Sequence, residues 1–237
     1  STHKEEGAFA VWTLDEVREA LGTESKLVDL ATRTFGLTKE GNATGAELEG
    51  KNVLRGLVKI EDYGDLYDEV LERLRAVRQL RPLPHRDTKK LTSWNALMIS
   101  GLAGAVDCHE AAVRLAEAAF DGVLEHHQTE GGLLRASGIY AFADDYAFLI
   151  QAALDLYQAT VNDHFLDHAR ILQTDFDSKF WDASRGAYFY TPSSGDSIIM
   201  RVKDEYDGAE PSANSVAARN LLRLSLLCED PGYRQKY

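Results

Sequence analysis

Helical segments of two kinds alternate along this chain, and that alternation limits the fold more than any other feature. Asp65 to Leu80 puts Leu66, Val70, Leu71, Leu74 and Val77 on one face and charges on the other, the pattern of a surface helix. Thr92 to Val106 ("TSWNALMISGLAGAV") contains no Asp, Glu, Lys or Arg, and a helix apolar on every side is a buried one. His109 to His127 carries Glu110, Arg114, Glu117, Asp121 and Glu125, spaced by three or four residues into one solvated stripe. Asp145 to Val161 has a single charge, Asp155, after its first residue and reads as buried. Asp163 to Phe180 returns to one polar stripe of Asp163, Asp167, Arg170, Thr174 and Asp177. Ser212 to Leu227 is mostly apolar, with Arg219 and Arg223 one turn apart.

The order is therefore amphipathic, buried, repeated along the chain, which makes three α-hairpins. A plain bundle would make every helix amphipathic. All-round apolar members imply two layers, with inner helices held between an outer ring and a centre. The expected fold is all-α: a partial (α/α)6 toroid with small β-hairpins on its rim. Strand-like insertions precede the helices at "GGLLRAS" (Gly131 to Ser137), at "GAYFYT" (Gly186 to Thr191) with "SIIMRV", and at "GAFAVWT" (Gly7 to Thr13), a degenerate internal repeat. Gly36 to Asp62 lacks periodicity and reads mostly as loop. The whole chain, 1–237, reads as a fragment of one toroid domain: it opens without Met or a signal peptide and stops at "DPGYRQKY", where a helix is starting.

Composition narrows the partners. The net charge of −12 argues against nucleic acid, because binding a polyanion needs clustered Lys and Arg. The longest apolar runs are too short and too broken by charge to span a bilayer. Cys108 and Cys228 form no CxxC, which suits a reducing compartment, and a cytoplasmic location is expected. His164 and His168 stand at i, i+4 but on a solvated stripe, so neither a metal nor a cofactor is expected. No nucleophile elbow, P-loop or Rossmann fingerprint is present.

Chemistry collects at the inner-helix starts. Inner helices of a hairpin ring run parallel, so their N-termini open on one rim. There stand Asp87, Trp94 and Asn95 at the first, Asp144, Asp145 and Tyr146 at the second, and Lys203, Tyr206, Asp207, Glu210, Ser212 and Asn214 at the third. Carboxylates, amides and aromatic faces around a concave mouth suit a sugar or another small polar ligand. Asp87, Asp145, Asp207 and Glu210 are the candidate acid/base residues, and Trp94, Asn95, Tyr146, Asn214 and Lys203 the candidate binding residues. Asp144 and Ser212 also explain themselves as helix N-caps. Asp207 and Glu210 lie ahead of Pro211, outside the helix, and read as surplus to capping.

The segments "EEGAFAVWT", "FGLTKEGN", "LTSWNALMISGLA", "DDYAFLIQAALDLYQAT", "FWDASRGAYF" and "DGAEPSANSVAARNLLRL" occur in the order seen in the spermatogenesis-associated protein 20 family, whose members are described as thioredoxin-domain-containing. The resemblance covers essentially the whole chain. It implies a six-hairpin glycosidase-like region akin to sugar 2-epimerases, with an N-terminal thioredoxin-like domain and the rest of the toroid as partners outside this chain. The lumenal histidine pair of those epimerases has no counterpart on the buried helices here. Only Gly138 to Ala143 separate Ser137 from Asp144, a shorter loop than the family's. Two functional readings follow: a carbohydrate-active or carbohydrate-binding domain, with acid/base glycoside chemistry at the rim, or a non-catalytic scaffold beside a redox domain.

Overall fold

The computed structural model describes residues 7–22, 24–57, 64–107, 109–193 and 200–236. The chain divides into two compact units, Ser1–Asp87 and Thr88–Tyr237.

In the first unit, β1 (Val11–Trp12) pairs antiparallel with β2 (Asn52–Val53), in register Val11 to Val53 and Trp12 to Asn52. Helices α1 (Leu14–Leu21), α2 (Ser25–Phe35) and α3 (Gly64–Gln79) pack around Trp12, Val17, Leu21, Leu27, Phe35, Tyr67, Val70 and Leu74. Thr13 opens α1 with a capping box. Its hydroxyl accepts the Glu16 N–H at 3.1 Å, and the Glu16 carboxylate accepts the Thr13 N–H at 2.7 Å. The Arg81 guanidinium lies 3.9 Å from the Trp12 ring centroid and donates to the Val11 carbonyl at 2.7 Å, closing the unit's core. On α3 the buried stripe is Tyr67, Val70 and Leu74, whereas Leu66 is exposed. One residue is about 100° of helix rotation, enough to turn Leu66 away from this packing face. The stretch Gly36 to Asp62 is mostly loop where described, but it holds a 3₁₀ turn (Ala46–Leu48) and β2; residues 58–62 fall outside the described residues.

In the second unit, α4 (Thr92–Ala103), α6 (Ala143–Thr160) and α8 (Ala213–Leu227) run side by side and parallel. The pairing is read from Gln151 with Ser100 across α6 and α4, and from Asn220 with the Ala147 carbonyl and Arg223 with Asp155 across α8 and α6. Helix α5 (Glu110–His127) returns antiparallel on α4, its last residue beside Thr92. Helix α7 (Asp163–Phe180) returns on α6, with Phe176 and Phe180 against Tyr146. A short turn, α9 (Pro231–Arg234), follows α8. The expected division holds in part: α5 and α7, like α3 of the first unit, each show a solvated stripe, and the first half of α6 is sealed, every residue from Ala143 to Ile150 being buried.

Burial on every side is true of the first half of α6 but not of α4 or α8. Helix α4 leaves Trp94, Met98 and Gly101 exposed along one face, and α8 leaves Leu222 and Leu226 exposed. The expectation that both are buried all round is corrected for a geometric reason. Helix α6 has α4, α7 and α8 packed on it, whereas α4 and α8 lie on the two sides of α6 and each keeps an apolar face with nothing over it among the described residues.

The rim insertions are slighter than expected. The segment "GGLLRAS" forms the middle strand of β3 (Gln128–Thr129), β4 (Gly132–Ala136) and β5 (Ile139–Tyr140), a three-stranded antiparallel sheet. Gly138, at φ 74°, makes the tight return into β5, so the short loop before Asp144 is a closed hairpin. Among the described residues the second expected hairpin reduces to a bridge between Trp181 and Tyr188 and one bond from the Tyr190 N–H to the Val202 carbonyl; residues 194–199, which hold all of "SSGD" but Ser193, lie outside the described residues. In the first unit, "GAFAVWT" contributes only Val11 and Trp12 as strand.

Candidate functional site

The first turn of α4 is held by two consecutive residues. The Thr92 hydroxyl donates to the Leu134 carbonyl at 2.6 Å and lies 2.6 Å from His127 Nδ1. A hydroxyl has one proton and a carbonyl can only accept, so the imidazole is the second donor and carries its proton on Nδ1. Burial pushes the His127 pKa down, helped by His126 and Lys90. Next along, the Ser93 N–H donates to Asp145 Oδ1 at 2.9 Å.

Asp145 is fully buried, and its second oxygen is used as well. Asp145 Oδ2 accepts the Phe142 N–H at 2.9 Å and Arg135 Nη1 at 3.0 Å. One carboxylate therefore closes two helix starts, α6 through Phe142 and α4 through Ser93. Arg135 also holds Asp144, at 3.0 and 2.9 Å, and sits over the Phe142 ring. Burial pushes the Asp145 pKa up to about 6, and the neighbouring Asp144 charge adds to it; the amides and Arg135 pull the other way. Asp144 is not the N-cap of α6. It lies inside the first turn, paired with Arg135, while Asp145 does the capping.

Residue 94 follows directly. The Trp94 ring is 57% exposed, and its indole N–H donates to Glu210 Oε1 at 2.8 Å. Glu210 and Asp207 are both exposed in the loop before α8, as their position ahead of Pro211 suggests. Asp207 is not surplus to folding. It accepts the Ser212 N–H at 2.7 Å and the Ser215 hydroxyl at 3.1 Å, and these bonds hold its pKa below the usual carboxylate range. Ser212 is the N-cap of α8, its hydroxyl accepting the Ser215 N–H at 3.2 Å. Tyr206 stands exposed on the same loop, with Gly208 beneath its ring.

The remaining candidates go elsewhere. Tyr146 is buried, so the expectation of a rim aromatic is corrected. Its ring stacks on Phe176 at 5.5 Å, its hydroxyl donates to Asp175, and it accepts the Leu133 N–H at 3.1 Å. Beside it lies a cavity of about 290 Å³ lined by Leu133, Tyr140, Tyr146, Lys179, Phe180 and Pro192. Asn95 donates to the Leu91 carbonyl at 2.7 Å, within its own helix start. Asn214 accepts the Tyr188 N–H and donates to the Tyr188 and Asp204 carbonyls, a full set of lattice-like bonds that locks the 186–190 segment to α8. Lys203 pairs with Asp182 at 2.9 Å and donates to the Gly186 carbonyl at 2.5 Å. Asp87 is exposed and ends the other unit. The structure thus brings Trp94, Asp145, Glu210 and Asp207 to one end of the parallel helices and spends Asn95, Tyr146, Lys203 and Asn214 on packing.

Sequence reasoning passed over Arg135, His127, Asp175 and Lys179. Arg135 had a readable signal, a lone cation in an apolar strand just ahead of two acids. Asp175 and Lys179 read as ordinary surface of an amphipathic helix. No helix among the described residues is long and apolar enough to cross a membrane.

No family model matches the sequence. An uncharacterized protein of Caenorhabditis elegans is 36% identical over 271 residues, covering 100% of this chain and 37% of that protein. Human spermatogenesis-associated protein 20 is 37% identical over 263 residues, covering 92% of this chain and 33% of that protein. The chain thus spans about a third of the length of the curated relatives it matches. Among solved structures, a GH76 alpha-mannanase of Bacteroides thetaiotaomicron aligns at a TM-score of 0.53 and 12% identity, covering 74% of this chain and 54% of that one. That likeness is one of fold, and the helical hairpins described above are those of an (α/α) toroid.

Proposed function

Since this chain belongs to the spermatogenesis-associated protein 20 family and carries part of a toroid, we propose that its ligand is a carbohydrate, met at the Trp94–Glu210 rim. One observation carries the reading. An indole ring stays open to solvent while its N–H is tied to an open carboxylate more than a hundred residues away. Such a pair offers a flat apolar face for a pyranose ring and a fixed acceptor for its hydroxyls. The fold neighbour's action on mannan is a reason to begin with α-mannose oligosaccharides.

In the acid/base form of the proposal, Asp207 and Glu210 are the two carboxylates. Asp207, held ionised by the Ser212 amide, takes the part of the base, and Glu210 the acid. The rest of the toroid and a thioredoxin-like domain, carried elsewhere in a longer protein, would complete the surroundings of this rim.

A second reading has its own observation. Asp145, Asn95, Asn214 and Lys203 are all bonded within the unit, as in a scaffold whose rim polarity serves folding. The two are separated by titrating a panel of oligosaccharides into the protein and following the heat of binding by calorimetry. A ligand should bind the wild type, and both Trp94→Ala and Glu210→Gln should weaken it at least about tenfold, the worth of one good polar or stacking contact. No response to any member of the panel would leave the scaffold reading standing.

A further inference from the structure

The mechanical link between the buried acid pair and the open rim is short. Asp145 Oδ1 takes the Ser93 N–H at 2.9 Å, Ser93 adjoins Trp94, and the Trp94 indole reaches Glu210 at 2.8 Å. We infer that Asp145 is a positioning residue: its carboxylate joins the first turn of α4 to that of α6 and thereby sets where Trp94 presents its ring and N–H to Glu210. This rests on the rim being the ligand site, but the positioning itself needs no ligand to be seen.

Three observations support the inference. Asp145 is sealed from solvent and all its bonds are made within the protein, so it cannot meet a ligand directly. It is nevertheless an ionisable group, where an amide or hydroxyl would suffice to cap one helix. And it joins two elements, since Phe142 opens α6 while Ser93 belongs to α4. A protonated carboxyl carries an O–H donor and no charge, so it accepts Ser93, Phe142 and Arg135 together more weakly than the carboxylate does. Weakening the bond to the Ser93 N–H loosens the turn that carries Trp94. Thr92 alone, through Leu134 and His127, would then hold it.

The charged and titratable groups around Asp145 are few. Arg135 faces it from β4, Asp144 and Tyr146 lie on its own helix, and Tyr190 approaches from the segment before α8. Helix α4 contributes only the Ser93 amide, and His127 of α5 sits on the other side of Thr92. Two acids share Arg135, so the proton taken up on mild acidification goes to this pair, and the sealed Asp145 is the member pushed upward.

The test follows the Trp94 indole N–H resonance of the ligand-free full chain from pH 7.5 to pH 5, with the Asp145 side-chain carboxyl carbon recorded alongside. Both resonances should move together, with a midpoint near 6. The step should persist in Glu210→Gln, which removes the charge of the indole's own partner and keeps an acceptor, and in His127→Gln, which removes the titrating group that α5 places against Thr92 of the same turn. Asp145→Asn should hold the Trp94 resonance at its acidic position at pH 7.5 and abolish the step. A Trp94 resonance that stays still while the Asp145 carboxyl titrates overturns the inference. So does a step that disappears in His127→Gln. If Asp145→Asn fails to fold, the wild-type, Glu210→Gln and His127→Gln titrations decide the matter alone. If the step is present but no oligosaccharide binds, the carbohydrate reading fails and the positioning stands.

Discussion

At the residue scale, the loop before α8 separates two acids that look equivalent in sequence. The Asp207 side chain accepts a backbone N–H and a hydroxyl at the helix start, whereas the Glu210 side chain accepts the Trp94 indole across from α4. Ser212→Ala should therefore cost about 1 kcal/mol as a lost N-cap. Asp207→Asn should lower the melting temperature in the same direction, because an amide retains only one of its two acceptors. Glu210→Gln should leave melting unchanged and alter only the environment of Trp94. Thermal denaturation of the three variants side by side checks this, and a Glu210→Gln protein that melts with the Asp207 variant would make Glu210 a structural anchor.

A second residue-scale prediction concerns Gly132, whose φ of 118° is open only to glycine at little cost. A methyl group there would stand 2.1 Å from Lys179 Nζ and 3.3 Å from Asp175 Oδ2. Gly132→Ala should destabilise by about 1–3 kcal/mol through backbone strain and displacement of the Lys179–Asp175 pair. Adding Lys179→Met removes the atom in the way. The double variant should then fall short of the summed single losses in urea unfolding.

At the scale of elements, the helices teach where pattern reading works. The solvated stripes of α5 and α7 were legible because charge on a helix face answers directly to water. The sealing of α6 was legible for the converse reason. The open face of α4 was not, because an apolar sequence reports only that burial is possible, and whether a neighbour is present is a tertiary fact. Asp144 and Asp145 make the same point at a helix start. Either could cap by composition, but Asp145, at the third helical position, is the one that reaches the Phe142 N–H, while Arg135, arriving from β4, pairs with both. The exposed apolar faces, Trp94 and Met98 on α4 and Leu222 and Leu226 on α8, should drive self-association of the isolated chain. Sedimentation velocity should show mass rising with concentration, and Met98→Glu with Leu226→Glu should reduce it. A single species of monomer mass at every concentration would mean that these faces do not seek a partner.

At the scale of the whole molecule, buried titrating groups set opposing trends with pH. Asp145 has a folded pKa raised from the model-compound 3.8 to about 6, so the folded state holds its proton more tightly than the unfolded one. Stability from this group is fully present below about 3.8 and is lost as pH rises through about 6. His127 and His168 are lowered by burial, so there the unfolded state holds the proton more tightly. Their contribution is present above pH 6.5 and is lost as pH falls. Asp182 and Asp207, both held low, lose theirs only below about 3.8, Asp182 chiefly through Ser184 and Lys203. In urea unfolding between pH 4 and pH 7.5 the two trends should thus oppose each other in the wild type. In Asp145→Asn the balance should tilt toward lower stability in acid, because the histidine trend is no longer opposed. A variant with the wild-type profile would show that Asp145 does not titrate in this range.

The sequence by itself determined the two kinds of helix, their order, and the polar residues at each inner start, since hydrophobic periodicity and turn chemistry are local and are written in neighbouring residues. The likeness to one family was legible for the same reason, in short ordered motifs. Only the tertiary structure decided what those polar residues do. Trp94 meets Glu210 across 116 residues, Asp145 meets Ser93 across 52, and Asn214 closes on Tyr188 across 26. Whether a carboxylate is a buried tie or an open rim group depends on which donors other elements bring within about 3 Å, and that distance exists only once the helices have packed.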